Sequence, residues 1–146
     1  MRKEFVMRGQ TASGTTEVLN FSGFKPGMAY RLTEFSLYAS NPMGGETVLG
    51  TITAGKTGVS PEDPNFNNEG LIATCLEFYN TNTSISGGKN NTIINDTFLI
   101  TQNLILMVQD SQGSPINWQC RFVKEKMAGP EEAAANYKQY LISDGS

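Results

Sequence analysis

The residues Gly50-Thr51-Ile52-Thr53-Ala54-Gly55-Lys56-Thr57 match the phosphate-loop pattern G-x-x-x-x-G-K-[ST] letter for letter. Such a loop works because a tight backbone turn aims N–H groups at phosphates and opens a helix whose dipole favours anions. Here the variable positions are β-formers, and Gly58, Val59, Ser60 and Pro61 follow where a helix would have to start. The match therefore reads as coincidence inside a strand. A second chemical pattern is Asp63-Pro64-Asn65-Phe66-Asn67-Asn68-Glu69-Gly70, which has the opening spacing of a calcium loop. Asn68 stands where that loop needs Gly, and Thr74 where it needs a bidentate Glu. These side chains predict a structured turn, not a metal site.

Other chemistry is thin. The chain has no histidine, which removes Ser-His-Asp and Cys-His catalysis and the commonest zinc ligand. Glu34, Glu77 and Glu125 lie on predicted strands, but nothing pairs two of them in a cleft as glycoside hydrolysis requires. No catalytic, cofactor or metal residue is assigned. Cys75 and Cys120 are far apart and outside any CxxC pair. Two buried thiols on neighbouring core strands is the favoured reading and a disulfide the alternative. Tyr79, beside the Asn-rich 80–91 stretch, is the more plausible ligand-facing aromatic, whereas Trp118 shares a strand face with Ile116, Cys120 and Phe122 and is a predicted core anchor.

The totals narrow the class. The chain has 146 residues, 38% hydrophobic and 17% charged, with 15 Gly and a net charge of −3. That length suits one domain that buries roughly two-thirds of its unfolded surface. A mildly acidic chain is a poor nucleic-acid binder, although Arg2, Lys3 and Arg8 form a small basic patch. No segment reaches the length of a membrane helix, and the start lacks a secretory signal. The expectation is a soluble protein made in a cytoplasm, with no membrane, nucleic-acid or small-molecule partner.

Short β-runs alternate with turn clusters, which predicts an all-β sandwich of about eight strands, a jelly roll or related Greek key, with a closed barrel as the alternative. Candidate strands are Lys3–Arg8, Thr15–Phe21, Met28–Ala39, Thr47–Ala54 and Leu71–Tyr79. The 55–70 and 80–91 stretches read as long loops, with a new strand beginning at Thr92. In Met28–Ala39 the apolar phase changes: Tyr30 and Leu32 point one way, then Phe35, Leu37 and Ala39 occupy odd positions. A one-residue bulge near Thr33-Glu34 would keep both sets facing the core. Thr97–Gln109 and Ile116–Met127, joined by Asp110–Pro115, read as the core hairpin, with a fold-back near Gln102-Asn103 as the alternative.

Residues 1–128 are assigned to the sandwich and 129–146 to a tail. Pro130, two acids and a run of alanines predict a helix start, though an added strand is the alternative. On a helix, Tyr137, Tyr140 and Leu141 share one face.

Several segments resemble small virion structural proteins of marine tailed bacteriophages: Tyr30–Thr57, Asn65–Ala73, Ile94–Thr101 and the Asn117-Trp118 strand. The resemblance implies a non-enzymatic capsid decoration (cement) protein, localised to the virion and contacting the capsid protein and copies of itself as a homotrimer. A decoration protein acts through area and shape, so the two ends become the expected contact points: Phe5, Val6, Tyr137, Tyr140 and Leu141. A glycan- or receptor-binding sandwich on the virion is the alternative, with the 55–70 and 80–91 loops as its site.

Overall fold

The computed structural model describes residues 3–21, 27–41, 46–55, 57–80, 87–127 and 129–145, with side chains described except at 79, 80, 87–89, 136 and 139–145. They form β1 (Glu4–Thr11), β2 (Thr16–Leu19), β3 (Met28–Ala39), β4 (Thr47–Ala54), β5 (Leu71–Asn80), β6 (Gly87–Ile94), β7 (Leu104–Asp110), β8 (Ile116–Lys126) and α1 (Gly129–Gly145). The strands make an antiparallel three-stranded sheet, β1-β8-β3, and an antiparallel five-stranded sheet, β2-β7-β4-β5-β6.

One device generates both orders. β1 pairs with β8, β2 with β7 and β4 with β5, so the chain is a ribbon folded back on itself and rolled into two sheets. This is the connectivity of a jelly roll. The departure is β6: in a complete roll it would pair with β3, but here it pairs with β5 and widens the second sheet.

Alternation supplies the core. Ile116, Trp118, Cys120 and Phe122 face inward from β8, and Leu104, Leu106 and Val108 oppose them from β7. The register of β3 shifts between Leu32 and Glu34, so the predicted bulge is present and Leu32 and Phe35 are both buried. Phe5, Phe21, Tyr30 and Phe122 pack as an aromatic cluster, with Phe21 edge-on to Phe122 at 4.9 Å between ring centroids. Trp118 is buried as expected, and its indole N–H donates to Thr11 Oγ1 at 2.9 Å.

Gly50, the first glycine of the phosphate-loop match, lies within β4 and points at the opposite sheet. A Cβ there would sit 2.8 Å from Leu37 Cδ1 and 3.1 Å from Phe35 Cζ. Its role is to make room between the sheets. Gly50→Ala is expected to destabilise by about 1–3 kcal/mol through overpacking, read as a lower urea midpoint at unchanged slope.

Both cysteines are free and buried, Cys75 on β5 and Cys120 on β8, one in each sheet. Burial pushes both thiols up, Cys120 far above the ordinary range. Neither should react with a thiol reagent in the native protein at pH 8, and both should react once urea unfolds it. Fast native labelling of Cys120 would contradict this packing.

Three expectations need correction. β7 and β8 do not form a hairpin: they lie in different sheets, and residues 111–115 arch across the gap between them. A turn with Gly113 at φ +77° and Pro115 serves either connection, and its few residues span a sheet separation of about 10 Å easily. Regular strand begins only at Leu104; upstream, Phe98 and Ile100 reach the core from irregular chain, and Ile100 forms a lone bridge with Tyr30. Within the stretch 80–91, Asn80 and residues 87–91 are strand rather than loop, because β5 runs to Asn80 and β6 starts at Gly87, with 81–86 outside the described residues; Thr92–Ile94 ends β6 instead of opening a strand.

The tail is a helix. Glu131 and Glu132 occupy its first turn, and Glu132 Oε1 accepts the Gly27 N–H at 2.9 Å. Ala135 packs with Ala29, Met127 and Leu99, and Lys138 Nζ lies 5.0 Å from the Phe98 ring centroid. The start of α1 therefore docks on its own domain. Among the described residues no helix is long and apolar enough to cross a membrane.

Candidate functional site

The two sheets present different outer faces. On the three-stranded sheet that face is mainly polar and charged, with Val6 and Tyr38 its exposed apolar and aromatic side chains. Arg121 bridges Glu34 at 3.1 Å and Glu4 at 3.8 Å, and Arg31 makes a two-pronged contact with Glu125 at 2.8 and 2.9 Å. Hydrogen bonding to Arg31 holds the Glu125 carboxyl below the usual carboxylate range. Water covers such a surface without penalty.

The outer face of the five-stranded sheet is apolar at one end and covered at the other. The 57–70 loop lies over β4 and β7. Thr51 Oγ1 donates to the Val59 carbonyl at 2.5 Å, and Thr53 Oγ1 accepts the Val59 N–H at 3.2 Å. Gly58 lies against Met107 so tightly that a Cβ would sit 2.5 Å from its sulfur. The β-forming threonines of the phosphate-loop match are thus fasteners for this loop, and the segment runs strand to loop with no helix after it. The stretch resembling a calcium loop is a pair of Asn-capped turns: Asn65 Oδ1 accepts the Asn67 N–H and Asn68 Oδ1 the Gly70 N–H, each at 2.9 Å.

Beyond the loop the face is open. Leu76, Phe78 and Ile93 are exposed at 36%, 40% and 48%, and Phe66, exposed at 62%, lines one groove with Leu76 and Ile93. Register explains the grouping. Leu76 sits opposite Leu49 and Asn91, while Thr74 sits opposite Ile93, so one outward row crosses β4, β5 and β6. Leu49, Pro61, Pro64, Phe66, Leu76 and Ile93 line a groove of about 290 Å³, and a recess of about 220 Å³ adjoins it beneath Phe66. Glu62, hydrogen-bonded to Gln109, is the carboxylate of the groove's described lining. Chemically this surface offers apolar contact with a polar edge. No family model matches the chain, and no curated protein matches it.

The residues expected at contacts are scattered. Phe5 points inward, half-buried, and its ring packs in the aromatic cluster against the core. Val6 is exposed at 39% on the edge strand β1, beside an open seam between β1 and β2. Tyr137 is exposed at 64% on α1. The side chains of Tyr140 and Leu141, and that of Tyr79, lie outside the described residues. The sequence does carry the missed signal: Leu76 and Phe78 are large apolar residues on the opposite phase to the inward Ala73 and Cys75. Both phases of β5 are apolar, which marks a strand to be covered on two sides.

Proposed function

We propose that this chain is a non-enzymatic virion structural protein, a capsid decoration protein that works by docking on the shell and on copies of itself. The observation that carries the reading is the asymmetry of the two outer faces. A sheet face set with Leu76, Phe78 and Ile93, with Phe66 beside Leu76 and Ile93, stands opposite one that is salt-bridged and mainly polar apart from Val6 and Tyr38. Contiguous exposed apolar surface marks an interaction site. The resemblance to phage virion proteins supplies the partner, and the jelly roll is a fold that viral capsids use among others. The free edge of β1, with Val6, and the exposed Tyr137 on α1 are further contact points on this reading. The decisive experiment adds purified protein to phage shells stripped of accessory proteins and pellets the shells. Saturable co-sedimentation of a trimeric species supports the proposal; a monomer left in the supernatant at every concentration overturns it.

The groove beneath Phe66 favours a second reading, a glycan- or receptor-binding module. It requires saturable binding on a glycan array that Phe66→Ala removes. Binding of that kind without shell binding would replace the first reading.

A further inference from the structure

The core-facing rows of β4 and β7 end in acids. Along β7 the buried positions are Leu104, Leu106, Val108 and Asp110; along β4 the same phase runs back from Ile52 through Gly50 and Val48 to Glu46. Val48 pairs with Asp110, which sets Glu46 diagonally beside Asp110 at the end of the sandwich. Glu46 is 1% exposed and Asp110 5%. One oxygen of each, Glu46 Oε2 and Asp110 Oδ2, is buried with no hydrogen-bond donor among the described residues.

The surroundings are held but neutral. Asp110 Oδ1 accepts the Gln112 N–H at 2.7 Å, and the Asp110 N–H donates to Ser13 Oγ from the β1–β2 turn at 2.8 Å. Ser111 Oγ accepts the Thr47 N–H at 2.9 Å. Glu17 on β2 is engaged by the Thr11 hydroxyl at 3.1 Å. Among the described residues the charged group acting on Glu46 is Asp110. Two buried carboxylates with no cation beside them among the described residues cannot both stay ionised without a large penalty.

We propose that Glu46 and Asp110 share one proton, and that this pair is a pH-sensitive latch holding the start of β4 to the end of β7. The proton lies between the two carboxyl groups and satisfies the oxygens that otherwise lack a donor. In support, the hydrogen bond to Asp110, with burial next, pushes the Glu46 carboxyl up to about 7. In the unfolded chain a Glu titrates near about 4.3. The folded state therefore holds the extra proton. The stabilisation is complete below about 4.3 and is lost as pH rises through about 7. Loss of the proton leaves two like charges in the buried end, which loosens the β4–β7 corner together with the arch and the β1–β2 turn packed on it.

The test is thermal and urea unfolding of the wild type, Glu46→Gln and Asp110→Asn between pH 5 and 8.5. Over this range the folding constant of the wild type should fall by about a hundredfold, the sign of one proton released. Glu46→Gln keeps a donor toward Asp110 at every pH, so its curve should be flatter and its Tm at pH 8 higher than the wild type's. A wild-type curve that is flat across this range, or parallel to that of Glu46→Gln, overturns the latch. So does a rise in wild-type Tm with millimolar Ca²⁺ at pH 8 that Glu46→Gln abolishes, because the pair would then hold a cation. Should Glu46→Gln fail to fold, the wild-type slope and Asp110→Asn decide the question.

Discussion

Phe122→Ala is expected to destabilise the protein by about 3–5 kcal/mol, the usual range for truncating a buried Phe. The site offers little room for collapse. Phe122 is fully buried on β8, the central strand of its sheet, with Phe5 stacked on one side at 5.4 Å and Phe21 edge-on. Its neighbours come from β1, from the chain after β2 and from β3, segments remote in sequence that meet at this ring. Removing it leaves Phe5 and Tyr30 in edge contact with each other but facing a void. Urea unfolding followed by near-UV circular dichroism should show a large drop in midpoint. A change below about 1 kcal/mol would mean that the aromatic cluster is not the centre of the core.

The second large effect concerns binding rather than folding. Leu76→Asp should weaken attachment to shells by about thirtyfold or more, since a central apolar anchor is worth about 2 kcal/mol or more. Its Tm should stay close to that of the wild type, because Leu76 faces outward and surface changes cost within about 0.5 kcal/mol. Co-sedimentation titrations and a melting curve measure both. Val6→Ser and Tyr137→Ala provide the contrast. If these abolish attachment while Leu76→Asp leaves it intact, the contact runs through the ends of the chain and not through the sheet.

Much of the fold is legible in the residues. The bulge in β3 follows from one phase change, Leu32 to Phe35, because a pleated strand offers no other way to keep both apolar sets inside. The burial of Trp118 likewise follows from alternation, and the span of β4 from a run of β-formers bounded by turn residues. What alternation does not encode is which sheet a strand joins. Leu104–Val108 and Ile116–Phe122 have the same pattern whether they pair with each other or face each other across the core, so the arch was not recoverable from them. β6 was hidden for a different reason: Gly87, Gly88, Asn90 and Asn91 are weak β-formers, and the strand owes its place to pairing with β5. The apolar outer row and the acid pair were both present as phase signals. Glu46 and Asp110 stand on the inward phase of their strands, where a carboxylate is unexpected.

The pairing of β1 with β8 bears on how the molecule is made. Phe5 finds its partner, Phe122, only after strands β2 to β7 between them have been synthesised. Until β8 emerges from the ribosome, β1 and β3 have no strand between them, and a three-stranded sheet cannot begin. The nascent protein must wait with its apolar strands exposed, and a message cut short before Ile116 yields a chain with half a sandwich. Folding should be slow and nearly all-or-none, as it is where early and late segments must meet. Translation past the arch is thus the event that commits this chain to its structure.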